Sequence, residues 1–69
     1  MARAMFNYTV EVLKKVSFDL QLFTKELTKA LSRLLPHEIQ ELKIWFYNLI
    51  QERPMLASCQ HYFELHSKN

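Results

Sequence analysis

The sequence predicts a small all-α protein, an up-and-down bundle of three to four helices joined by short connections that begin with proline. Three observations lead to this fold class. The 69 residues include no glycine, where average usage of about 7% would supply roughly five. Apolar residues recur every three or four positions, and the pattern is interrupted at Pro36 and Pro54, which suit the first position of a new helix. Because 49% of the residues are hydrophobic, we expect residues 1–69 to fold as one domain.

The first two helices are predicted at about residues 5–16 and 20–34. The first segment has a strand-like alternation that ends at Leu13, and a single strand would have no partner strand, so a helix is favoured. Asp19 is a good N-cap for the second helix. On the first helix the apolar side carries Met5, Phe6, Val12, Leu13 and Val16. On the second helix the stripe predicted to face the core is Leu20, Phe23, Leu27, Ala30, Leu31 and Leu34.

The prolines set the start of the third and fourth helices, which are predicted at about residues 36–53 and 55–65. Residues 66–69 are expected to form a frayed C-terminal tail. The third helix should turn Ile39, Leu42, Trp45, Phe46, Leu49 and Ile50 inward. The shorter fourth helix should turn Met55, Leu56, Cys59, Tyr62 and Phe63 inward.

The composition limits the location of the protein and the ways in which it can be stabilised. A single cysteine cannot form an internal disulfide, so a reducing, cytoplasmic location is expected. We see neither a signal peptide nor an uncharged apolar window of about 18 residues, so no membrane span is expected. A chain this short buries only about 60% of its unfolded surface, so self-association or a larger partner is the natural source of further stability.

Two short motifs suggest metal or nucleophilic chemistry, and neither is complete. In "HEIQE", His37 is followed one turn later by Glu41, whereas a zinc-binding HExxH helix needs a second histidine there. The residues "CQHYFELH" contain Cys59, His61 and His66. A helix separates Cys59 from His61 by about 160° around its axis, so these two cannot share an ion or a proton as long as the segment is helical. The glutamates that could serve as paired general acids and bases are all predicted on polar faces: Glu26, Glu38, Glu41 and Glu52. We therefore expect no enzyme activity, no metal, no cofactor and no small-molecule substrate.

A basic stripe runs along the second helix, where Lys25, Lys29 and Arg33 are spaced four residues apart. Such a stripe is typical of a solvated helix face, and it is also the kind of surface that contacts phosphates. The net charge of +2 is too small to favour nucleic acid by itself. A nucleic-acid-associated accessory or regulatory role through these three residues is therefore the alternative hypothesis.

A second apolar surface is predicted on the third helix. Ile44 and Tyr47 project away from its inward stripe, close to Trp45, and Leu22 falls among the lysines of the second helix. In a chain with so small a core, exposed apolar residues of this kind indicate an association face. The first hypothesis is therefore a non-enzymatic protein-protein interaction module that forms a homo-oligomer or docks on a larger assembly through these residues.

The pattern "KVSFDLQLFTKELTKALSRLLPHE" followed by "LKIW" resembles short, uncharacterised all-helical proteins of Bacteroidota bacteria. The resemblance covers about residues 10–46. It implies an all-helical fold and a bacterial, cytosolic protein, and it transfers no function.

Overall fold

The structure of the protein is a computed structural model that describes the backbone of residues 4–67 and the side chains of residues 4–64. Its elements, in chain order, are α1 (Ala4–Lys15), α2 (Leu20–Arg33), α3 (Pro36–Glu52), a 3-10 helix (Pro54–Cys59) and α4 (Gln60–Ser67). The predicted fold class, a small all-α bundle, is confirmed. Within residues 4–67, none of the helices combines the length and apolar character that crossing a bilayer requires.

The C-terminal segment differs from the single helix predicted at 55–65. Residues Pro54–Cys59 are a 3-10 helix, and α4 begins only at Gln60. A 3-10 helix has three residues per turn, so Leu56 and Cys59 lie on one line along its axis, and both are buried. The same spacing also fits an α-helix, which is why the sequence pattern did not separate the two. The backbone of α4 continues to Ser67, into the predicted frayed tail, and residues 68–69 of that tail lie outside the described residues.

The predicted cap of α2 is confirmed. Asp19 has an extended backbone, and its side chain accepts a hydrogen bond from the Leu22 N–H over 3.1 Å. This bond satisfies one of the N–H groups that the first turn of a helix leaves without a partner. The cap fixes where α2 begins and so keeps the connection from α1 short.

The start of α3 depends on a carboxylate that the sequence pattern placed wrongly. Leu35 is extended, as a residue before proline must be, and Pro36 takes the first helical position. The Glu38 carboxylate then accepts the Leu35 N–H over 3.0 Å. The predicted polar-face position of Glu38 is wrong, because this bond turns the side chain back over the helix start and leaves the residue 7% exposed.

The core is built around three neighbouring aromatic rings. Phe46 of α3 lies 6.1 Å from the ring of Phe23 on α2 and 5.1 Å from that of Phe63 on α4. All three are buried, and offset contacts of this kind add to the burial of apolar surface. Leucines and smaller side chains surround the rings: Leu13, Leu27, Ala30, Leu31, Leu34, Leu42, Leu56 and Cys59.

The core stripes were predicted well in the middle of each helix and less well at the ends. Leu20, Met5 and Met55 were expected to face the core, but they are 39%, 47% and 45% exposed. Each stands in the first turn of its element, where the chain enters from the surface and only part of the side chain meets a neighbouring helix. These exposed ends leave additional apolar area on the surface of a small protein.

Helix α1 closes the bundle by packing beside α2 and reaching α3 with its C-terminal end. Phe6 and Leu13 of α1 enter the core, and Lys14 lines a shallow groove with residues of α3. On another side of α2, the Thr24 hydroxyl lies 3.3 Å from the Cys59 sulfur and so joins α2 to the 3-10 helix. Helices α2 and α3 meet in the core, where the rings of Phe23 and Phe46 are in contact. Each of the two helices also has an outer face that is exposed to solvent.

Candidate interaction surfaces

The exposed side of α3 carries an uncharged strip with two large apolar residues. At 3.6 residues per turn, Ile44 lies about 180° around the helix from the midpoint of Leu42 and Phe46, which face the core. Ile44 is 64% exposed and Tyr47, one turn later, is 38% exposed. We call the strip formed by Gln40, Ile44, Tyr47 and Gln51 the α3 outer face.

The α3 outer face is rigidly held by the helix that carries it. The Tyr47 ring lies 6.1 Å from the ring of Phe46, the residue before it in the chain, and Tyr47 is 38% exposed. The side chain of Asn48, next to the strip, donates to the Ile44 carbonyl over 3.3 Å. Ile44 itself is β-branched and stiff at its first side-chain torsion. The strip is therefore a preformed surface.

Two residues predicted to accompany Ile44 and Tyr47 lie elsewhere. Trp45 is half-buried against the core and lines the groove that contains Lys14, so it faces α1 and lies outside the α3 outer face. Leu22 is 41% exposed, as predicted, but it stands on the outer side of α2. The structure thus brings Ile44 and Tyr47 together and separates Trp45 and Leu22 from them.

The basic stripe of α2 is exposed over its whole length. Lys25, Lys29 and Arg33 all point into solvent. The Lys29 ammonium lies 3.5 Å from a carboxylate oxygen of Glu26, one turn earlier. An ion pair of this kind on an open helix surface contributes only about 0.3–0.5 kcal/mol. Lys25 and Arg33 add two further cations to this side of the molecule.

A groove between α1 and α2 brings apolar residues next to two of these cations. Its α1 side is formed by Met5, Tyr8, Thr9, Val12 and Leu13, and its α2 side by Glu26, Lys29, Ala30 and Arg33. We call this feature the α1–α2 groove. Tyr8 is 64% exposed and Met5 is 47% exposed, so the α1 side of the groove is apolar and accessible near the N-terminus of α1.

On the α1 side of this groove, Met5, Val12 and Leu13 belong to the predicted apolar side of the first helix, whereas Tyr8 was not assigned to it. Met5, Tyr8 and Val12 follow the spacing i, i+3, i+7, which places Tyr8 at the edge of the predicted apolar side of α1. On α2 itself, no aromatic residue is exposed beside the basic stripe. Tyr8 becomes its neighbour through the packing of α1 on α2, a contact between residues more than 20 positions apart in the chain.

Within the described side chains, Cys59 and His61 lie in different surroundings. Cys59 is 1% exposed, with its sulfur against the Thr24 hydroxyl. His61 is exposed, and its Nδ1 lies 2.9 Å from the Ser58 carbonyl oxygen. The side chain of His66 lies outside the described residues. A buried thiol in these surroundings packs as a small apolar residue.

The other candidate metal ligands, His37 and Glu41, are both exposed on the first turns of α3. In the part of the chain that the structure describes, no group of three or more histidine, cysteine, aspartate or glutamate side chains is placed to hold a metal ion. A protein metal site is normally completed by three or four such ligands.

Comparisons of the chain with protein-family models, with curated proteins and with solved structures gave no match. The chemistry of the surfaces is therefore what bears on function.

Proposed function

We propose that the protein is a non-enzymatic interaction module that binds a protein partner through the α3 outer face. The partner is either a second copy of the chain or a component of a larger assembly. One observation carries this proposal: Ile44 is 64% exposed on the side of α3 opposite the core, in a strip of uncharged side chains.

The composition of the strip supports a protein partner. The centres of protein-protein interfaces are depleted of charged residues and enriched in tyrosine and other aromatic residues. Gln40, Tyr47 and Gln51 fit this pattern around Ile44. Burying a side chain such as isoleucine contributes about 1.5–3 kcal/mol, which makes Ile44 the natural anchor of the contact.

The size of the protein indicates that such an interface must reach beyond α3. A standard interface covers about 800 Å² on each partner, and the accessible surface of the chain is 4690 Å². The contact would therefore cover roughly a sixth of the surface. Four side chains along α3 do not supply that area, so the rim must include neighbouring elements.

The marginal stability of a chain of 69 residues also supports association. Small domains bury a low fraction of their surface, and those without disulfides or metals often gain stability from a partner. A partner that binds only the folded state stabilises it by mass action. We therefore expect the stability of the protein to depend on the concentration of whatever covers the α3 outer face.

The test compares the wild-type protein with Ile44→Glu, which places a charge at the centre of the strip. Phe18→Glu is the matched control, because Phe18 is also 64% exposed but lies between α1 and α2. Sedimentation across a range of concentrations measures self-association, and affinity capture from the native cell with quantitative mass spectrometry measures other partners.

We expect one association, either of two copies or with a captured protein, that the control retains and Ile44→Glu loses. A wild-type protein that stays monomeric, with a concentration-independent unfolding midpoint and no captured protein that depends on Ile44, would contradict the proposal.

A further inference from the structure

We propose that the α1–α2 groove is a second interaction surface, and that it binds an acidic amphipathic helix of a partner protein. This goes beyond the function proposed for α3, because it concerns other helices and a partner of defined charge. The apolar wall, the cations beside it and the position of Leu22 carry the inference.

The apolar wall of the groove runs along the axis of α1. Met5, Tyr8 and Val12 line up on α1 over about 10 Å, or two helical turns. The side-chain ridge of a third helix can pack along such a shallow groove between two neighbouring helices. Met5 and Tyr8 are 47% and 64% exposed, so both have surface left to bury. Methionine adapts to ligands of irregular shape.

The α2 side of the groove explains why Leu22 lies among charged residues. At 100° per residue, Leu22, Glu26, Lys29 and Arg33 fall within about 60° on α2. Leu22 thus stands one turn before the groove on the same side of the helix, and it is 41% exposed. It extends the apolar part of the surface by one turn towards the N-terminus of α2.

The charges beside the apolar wall select an acidic partner. Lys29 and Arg33 both line the groove. Lys25, one turn before Lys29, is exposed on the same outer side of α2. Among the residues that line the groove, Glu26 carries a carboxylate, which is already 3.5 Å from the Lys29 ammonium. On the open side of the α1 wall, Glu11 and Lys15 are both exposed and opposite in charge. A helix with glutamates or aspartates flanking its apolar ridge would place them against Arg33 and the remaining charge of Lys29. Such complementarity steers association and selects among partners.

Other occupants fit this groove less well. A second copy bound through the same face would bring Lys29 and Arg33 towards their own counterparts, because a twofold interface pairs identical patches. A single-stranded nucleic acid needs aromatic platforms for successive bases along a positive groove. This wall offers Tyr8 between two aliphatic side chains, and the Glu26 carboxylate would face the phosphates. An amphipathic helix, by contrast, can lay its apolar face against Met5, Tyr8 and Val12.

The experiment is a selection that makes no assumption about the partner's sequence. A displayed library of random peptides about 16 residues long, enough for four helical turns, is selected on the intact protein. Enriched peptides are synthesised and their affinities measured by fluorescence anisotropy. The test variant is Arg33→Glu, and Arg53→Glu is the matched control, since both arginines lie at the C-terminal end of a helix and only Arg33 lines the groove.

We expect enriched peptides to carry apolar residues at helical spacing flanked by glutamate or aspartate. Their affinity should fall about tenfold or more for Arg33→Glu, which corresponds to the loss of one charge-assisted contact and a new repulsion, and should change less than about twofold for Arg53→Glu. If thermal unfolding shows that Arg33→Glu is misfolded, Arg33→Met and Tyr8→Ala replace it, with smaller expected losses.

Three results would overturn the proposal: no enrichment, enriched peptides without acidic residues at helical spacing, or binding that the groove variants leave unchanged. A labelled poly(U) RNA provides the remaining arm. RNA binding that is lost in Arg33→Glu and kept in Arg53→Glu, in the absence of peptide enrichment, would assign the groove to nucleic acid instead.

Discussion

Helices α2 and α3 both expose a large aliphatic residue on their outer faces, but the surroundings of these residues differ. Ile44 on α3 is one turn from Gln40, Tyr47 and Asn48 and has one charged neighbour at that distance, the exposed Glu41, whereas Leu22 on α2 shares its side with Glu26, Lys29 and Arg33. An uncharged apolar strip gains affinity mainly from burial, and a cationic one gains selectivity for acidic partners. A large aliphatic residue turned away from the core therefore indicates two kinds of recognition on two sides of one small bundle.

The contrast between the two faces depends on the core that holds them apart. We predict that Phe46→Ala lowers the free energy of unfolding by about 3–5 kcal/mol, because the Phe46 ring is fully buried between Phe23 and Phe63. A domain of this size has a total stability of only about 3–10 kcal/mol. Urea unfolding followed by circular dichroism measures the loss, and binding at both faces should weaken together. A change below about 1 kcal/mol would show that the three rings are not the centre of the core.

The two faces should respond separately to a charge placed on each. We predict that Ile44→Glu weakens binding of the α3 partner by about thirtyfold or more, as expected for a central anchor residue, and leaves the groove peptides unaffected. Leu22→Glu should do the reverse, because it adds a like charge next to the acidic ligand. Stability should change by less than about 0.5 kcal/mol in both variants, since both sites are exposed.

The measurement is the affinity of the α3 partner and of the groove peptides for each of the two variants. If either substitution weakens both ligands equally while the protein remains folded, the two faces form one binding surface.

A smaller effect tests how α3 is positioned. We predict that Glu38→Ala costs about 1–2 kcal/mol of stability, because it removes the acceptor for the Leu35 N–H at the start of α3. Glu38→Gln keeps a carbonyl oxygen at that place and should lose less than half as much. Urea unfolding of the pair separates the hydrogen bond from the loss of packing. Equal losses in the two variants would mean that the charge of Glu38, rather than its hydrogen bond, is what matters.

The sequence predicted the all-α fold because each local signal agreed: prolines at helix starts, the Asp19 cap and apolar residues at helical spacing. It failed where the outcome depended on how elements pack on one another. Glu38 was misplaced because helical position alone cannot show a side chain folding back to cap its own helix. The 3-10 helix escaped notice because Leu56 and Cys59 are three residues apart in either helix type.

The candidate surfaces were predictable to the extent that they lie on one helix. Ile44 and Tyr47 could be found from periodicity on α3 alone, and they are exposed together as expected. The α1–α2 groove could not be found in this way, because Tyr8 and Arg33 become neighbours only when α1 packs on α2. Trp45 is the opposite case. It is next to Ile44 in the chain, but the helix turns it towards a different part of the molecule.

The smallest predicted effect comes from a substitution that should make the α1–α2 groove more positive and leave the α3 outer face unchanged. Glu26→Gln removes the carboxylate that lies 3.5 Å from Lys29, and it should change stability by less than about 0.5 kcal/mol because the pair is exposed and screened by solvent. The freed Lys29 ammonium then faces the ligand without an internal competitor, so acidic peptides should bind the groove a few times more tightly at low salt. This gain should fade as the salt concentration rises above about 0.1 M, where charges about 10 Å apart are screened.

Binding at the α3 outer face should not respond to the same change. A lower affinity for acidic peptides in Glu26→Gln would mean that the carboxylate holds Lys29 in its binding position, and the pair would then be part of the site rather than a competitor within it.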